Sequence, residues 1–240
     1  VALELPDAVV SFLDFIGVHW PNVDEDKVRE FGGHVRDFAN NIQQSHQDAT
    51  SSVEQLSEVY QGASYDALMA KWGQMSSSHM NELVTACHTV ATALDAAAGV
   101  IVGMKAAAIA ELVVLAVTFV ADQAAAAFTF GLAEVAEAGI IAAARKATSY
   151  LEQQLEQYVI GQVIEAAITP LVDVVGNAVS GLVYEGTAKA LGVSGGGAGQ
   201  SFSVHPEELH ARSQALSKHA ETVAAHAEDF KSKLSGVSFA

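Results

Sequence analysis

The chain has 240 residues, half of them hydrophobic, with 7% aromatics, four prolines and one cysteine. Its formal charge is −16, and the first sixty residues carry eleven Asp and Glu against three Lys and Arg. This excludes nucleic acid and anionic lipid as charge-driven partners, because both attract basic patches. A single cysteine, Cys87, excludes an intrachain disulfide. Ala is abundant and no period-two alternation of Val, Ile or Thr is sustained, so the fold class expected is all-α. The first fifteen residues hold Glu4, Asp7 and Asp14 and no Lys or Arg, which is unlike a general export signal.

Residues 3 to 18 are predicted to form a short amphipathic helix with Leu5, Val9, Phe12, Leu13 and Ile16 on one side, broken by Trp20-Pro21. Asp24 is the expected N-cap of a long second helix, with Glu25 and Asp26 near its positive dipole end. That helix is expected to run to about residue 60. Its apolar face reads Val28, Phe31, Val35, Phe38, Ile42, His46, Ala49, Val53, Leu56 and Tyr60, in steps of three and four. Gly32 and Gly33 lie inside it, each costing about 1 kcal/mol relative to Ala. Close packing of the first helix or Trp20 on that site is the expected reason.

Tyr60-Gln61-Gly62-Ala63-Ser64-Tyr65-Asp66 reads as a corner. Gly62 permits positive φ and chain reversal. Ser64 is the expected cap of the next helix, with Asp66 in its first turn. The same apolar rhythm then runs through Leu68, Trp72, Met75, His79, Leu83, Cys87, Val90, Leu94, Ile101 and Met104. A short connection makes the helices antiparallel. Folding at the corner pairs Val53 with Trp72, Ile42 with Leu83, Phe38 with Cys87, and His46 with His79. The two histidines are expected to be either a polar layer that sets register or a pH-sensitive pair.

The corner, with aromatic-x-Gly at Tyr60 to Gly62 and Trp72 further on, resembles the signature of the WXG-type (ESAT-like) proteins exported by type VII (ESX) secretion systems. Gly62 and Trp72 match, and Tyr60 stands where the family usually has its first Trp. Trp20-Pro21-Asn22-Val23-Asp24-Glu25-Asp26 and Leu83-x-x-x-Cys87-x-x-x-Ala91-x-x-Leu94 are similar to segments of WXG-like N-terminal domains on large actinobacterial toxins and channel-type proteins. The resemblance covers about residues 3 to 190. It implies a non-enzymatic secretion substrate, or the N-terminal targeting domain of a secreted toxin, that is released or displayed at the cell surface. It implies small WXG-type helical proteins and the secretion machinery as partners, with Tyr60, Gly62 and Trp72 as the recognition corner. The family's Tyr-x-x-x-Asp/Glu signal is not found after Tyr150, Tyr158 or Tyr184.

Downstream, the third helix is expected to continue to about Phe128, bent at Gly99 and Gly103, with a break at Gly131. A fourth follows over about 132 to 169, ended or kinked by Pro170, and another over 171 to 191. Residues 192 to 201 read as a Gly-rich linker. The last helix is expected from Pro206 to about Leu234, isolated by that linker. Its opening, Phe202 to Leu209, resembles the start of a second ESX-type helical module, whose hairpin partner would lie beyond Ala240. The architecture expected is an elongated helical bundle on a long antiparallel hairpin (24 to 128), with further helices to 191 and a linker-tethered C-terminal helix.

No catalytic constellation, metal site or cofactor motif is expected. Gly192-Val193-Ser194-Gly195-Gly196 lacks the strand that a nucleophile elbow needs. Gly181 to Gly186 lacks the Lys-Ser/Thr of a P-loop. Cys87 and His88 are helix neighbours that point apart. His205, His210, His219 and His226 read as a solvated face rather than a zinc site. Charges at Lys105, Glu111, Asp122, Glu134 and Glu137 interrupt the apolar zone from Ala96 to Ala144, which favours buried helices over a membrane span. Two alternatives stay open: a membrane-active pore-forming protein, and a self-assembling ring.

Overall fold

The structure, a computed structural model, describes residues 3–126, 133–176, 203–204 and 206–236. The fold is all-α. Its helices are α1 (Asp7–Ile16), α2 (Glu25–Glu54), α3 (Ala63–Gln74), α4 (Asn81–Ala126), α5 (Ala133–Tyr158) and α6 (Pro206–Gly236). A 3-10 turn, Gln55–Glu58, extends α2, and a π-turn, Met75–Met80, joins α3 to α4. A second π segment, Val159–Ile168, continues α5. The expected break at Gly131 and the 192–201 linker lie outside the described residues.

The described residues form two compact units, each assembled from separated stretches of chain. One draws on Val1–Glu30 and Ala93–Ala167, the other on Phe31–Thr92 and Ile168–Val237.

In the first unit, α1 begins after Pro6, whose carbonyl accepts the Val9 and Val10 amides. It stops earlier than expected. Gly17 takes φ 67°, and the Gly17 and Val18 amides turn back to the Asp14 and Leu13 carbonyls. A left-handed glycine thus closes the helix before Trp20-Pro21 is reached. The Arg145 guanidinium donates to the Ile16 carbonyl at 3.2 Å, which places a cation at the negative end of α1. Val9, Phe12, Leu13 and Ile16 pack with Leu112, Ala116 and Phe119 of α4 and Ala144 of α5, and Trp20 packs against this cluster. Each fully buried aliphatic or aromatic side chain contributes about 1.5–3 kcal/mol. Trp20 therefore has its own seat, and a Cβ at Gly33 would meet nothing within 4 Å. Close packing is not the reason for that glycine. Gly99 and Gly103 are equally open, and α4 runs through both.

Charge is buried in this unit too. Glu25 and Lys105 are fully enclosed and bonded at 2.5 Å, and the Leu3 amide donates to the other Glu25 oxygen. Burial would raise the Glu25 pKa, but the Lys105 hydrogen bond and the Leu3 amide hold it below the ordinary carboxylate value.

At the start of α2, still in the first unit, Asp24 is the cap its sequence suggests: its Oδ1 accepts the Asp26 amide at 2.8 Å. The second unit takes up α2 from Phe31 onward. Val35, Phe38, Ile42, Ala49, Val53 and Leu56 are all buried, as are Leu83 and Cys87 on the returning strand of the hairpin. The Arg36 guanidinium reaches the Ala91 carbonyl across it. Helical backbone persists through Pro170 to residue 176. The wide π segment ends two residues before Pro170, where a turn without the proline N–H is accommodated.

α6 does not stand apart. Phe230 is buried and stacks on Phe38 at 4.7 Å and Phe31 at 6.2 Å, and Val223 is buried as well. The apolar face of α2 is wide enough to take a second neighbour besides α4.

Candidate functional site

The corner forms where the sequence places it. Gly62 has φ 143°, a backbone that disfavours any side chain, and it occupies the N-cap position of α3. Its carbonyl accepts the Tyr65 and Asp66 amides at 2.9 and 3.2 Å. The helix therefore starts at Ala63, and Ser64 lies inside it instead of capping it. Tyr60 is half-buried. Tyr60 and Gln61 pair antiparallel with Val204 and Ser203, so the segment before α6 satisfies the corner backbone.

Trp72 sits inside a polar-aromatic cluster. Its indole stacks on the His46 ring at 5.0 Å and 15°, and its Nε1–H donates to Thr50 Oγ1 at 2.9 Å. Thr50 Oγ1 in turn donates to the His46 carbonyl at 2.9 Å. His46 Nε2 bonds Ser76 Oγ at 2.6 Å. His219 of α6 completes the group, 6.0 Å from Trp72 edge-on and 6.3 Å from His46. Burial pushes the His46 pKa down. Burial, then the nearby His46, push His219 down to about 4, against the pull of Asp48.

The expected pairing of His46 with His79 thus gives way to a different set of neighbours. His79 is exposed, and Met80 is buried in its place. The π-turn is the cause: its extra residue moves the buried position from His79 to Met80, and the expected face resumes at Leu83 and Cys87. The hairpin keeps its order, with Trp72 meeting Thr50 about one turn from the Val53 expected. His219, read as part of a solvated face, is in fact half-buried, with its Nε2 removed from water. The sequence signal for this was Val223, four residues on and so on the same side of α6, which is buried.

Cys87 is buried and its thiol is pushed up to about 12 by loss of water, whereas His88 is exposed. The pair cannot act as thiolate and base.

Outside the corner, α4 carries Val114, Val117 and Val120 at 65, 62 and 66% exposure, three residues apart and on one side. Phe15 of α1 is 67% exposed, with its ring 5.2 Å from Phe119. This apolar stripe belongs to the first unit and is left open to solvent.

Residues 3–148 match the family model of the WXG100 like domain. No curated protein and no solved structure matches the chain. The matched span contains α1, α2, the corner with Tyr60, Gly62 and Trp72, and the hairpin's return in α4, so the chain belongs to the WXG100-like domain family.

Proposed function

We propose that the chain is a non-enzymatic type VII secretion substrate, or the N-terminal targeting and partner-binding domain of a secreted toxin. Membership in this secretion-related helical family is the observation that carries the reading. Tyr60, Gly62 and Trp72 form the recognition corner, and the partners are small WXG-type helical proteins and the secretion machinery. The open stripe of Val114, Val117, Val120 and Phe15 supports a docking role, because isolated exposed valines are ordinary but an aligned set beside an exposed Phe is not. The protein would be made in the cytoplasm and end outside the cell or on its surface.

Light scattering of the purified chain, with and without the small WXG-type proteins encoded beside it, tests this. A stable one-to-one complex that Val117→Glu abolishes is the expected result. A chain that ignores every such protein overturns it, and a discrete homo-oligomer favours ring assembly instead.

A second reading rests on two apolar helical stretches, Asn81–Gln123 and Glu137–Gly176. Each is long and apolar enough to cross a membrane, and their most apolar windows are only 22% and 33% buried. Membrane activity predicts dye release from liposomes by the isolated chain.

A further inference from the structure

α6 lies outside the span matched by the family model, yet it covers the corner. Phe230 stacks on Phe31 and Phe38, Arg212 bonds Gln55, and Ser203-Val204 pairs with the corner backbone. Between these anchors lies His219, against His46 and Trp72.

The groups that face the two imidazoles are Asp48 and Thr50 of α2, Trp72 of α3 and Ser76 of the π-turn. Asp48 is the anion among them. His46 Nδ1 and His219 Nε2 are buried and find no hydrogen-bond partner among the described residues. A layer that served only to set register would close its hydrogen bonds. Two imidazoles with open nitrogens tolerate each other while neutral. Once charged, they repel each other and lose hydration.

We propose that the His46–Trp72–His219 cluster is a proton-sensitive latch, which holds α6 over the corner while both imidazoles are neutral and releases it when they are charged. Release uncovers Trp72 and the Phe31–Phe38 face on which Phe230 is stacked. The latch does not depend on the secretion reading.

The sign follows from linkage. Docked, His219 is pushed down to about 4; undocked, it returns to 6.5. Docking is therefore fully supported above pH 6.5 and weakens as pH falls toward 4, because only the undocked ring takes the proton readily. At pH 5 His219 alone lowers the docking equilibrium about 30-fold. His46 shifts in the same direction and adds to this.

Amide hydrogen exchange on the full chain at pH 7.5 and pH 5, corrected for intrinsic rates, reads the latch directly. Protection in α6 should fall about 30-fold or more, while amides around Leu112 to Phe119 keep theirs. His219→Gln should remove most of the pH dependence, leaving only the His46 part, and His210→Gln, an exposed site on the same helix, should leave it intact. Protection of α6 that does not change with pH, or the same fall in His219→Gln, overturns the latch. Should His219→Gln fail to fold, the ring titration of His219 in the native chain decides by NMR. A midpoint near 4 supports the latch, and one near 6.5 overturns it.

Discussion

Lys105, midway along α4, closes on Glu25 at the first turn of α2 with Nζ 2.5 Å from Oε2, and both side chains are removed from water. Replacing one member of such a pair strands the other charge. Lys105→Met should destabilise the protein by about 3–5 kcal/mol, whereas Glu25→Leu combined with Lys105→Met should recover most of that loss. Glu25 is held below its ordinary value of 4.5, so its contribution is complete above pH 4.5 and is lost as pH falls below it. Urea unfolding of the three proteins across pH 3 to 7 checks both the size and the sign.

Trp72 combines stacking on His46 with one directional bond to Thr50. Trp72→Phe keeps the ring and should cost about 1 kcal/mol through the lost hydrogen bond. Trp72→Ala removes the stack as well and should cost about 3 kcal/mol. The two unfolding midpoints, measured side by side, separate the contributions. Equal losses would mean that the stack contributes nothing.

Two glycine substitutions should have opposite signs. Gly62→Ala forces a side chain into φ 143° and should cost about 1–3 kcal/mol. Gly33→Ala enters open space inside a helix and should stabilise by about 0.5–1 kcal/mol. Thermal unfolding of both variants is sufficient.

Cys87 should be silent toward a thiol reagent at pH 8 in the folded protein and react fully in denaturant, because burial leaves the thiol protonated up to about pH 12. Rapid labelling of the native chain would place this part of α4 in contact with water.

Much of the fold was legible in one-dimensional pattern. The α2 stripe from Val28 to Leu56 repeats with the period of a helix buried on one side, and its members are buried except for half-exposed His46. Gly62 marked the reversal, and Asp24 and Pro206 marked two helix starts, because caps and left-handed positions depend on local chemistry. Local rules also have competitors. Gly17 ended α1 before the more conspicuous Trp20-Pro21 could, and Gly62 displaced Ser64 from the cap.

Composition and periodicity by themselves determined that the chain is all-α, that apolar stripes run along α2 and α3–α4, and that the chain reverses at Gly62. Each depends on residues within a few turns of one another. Tertiary structure alone decided which histidine reaches His46, what Lys105 is for, and what covers the corner. A single π-turn rotated His79 outward and brought Ser76 to His46. Lys105 looked like an interruption in an apolar run until Glu25, eighty residues away in sequence, accepted its charge. His219 looked solvated until α6 was laid on the hairpin. Helical period reports which side of a helix avoids water, but not which distant segment excludes it.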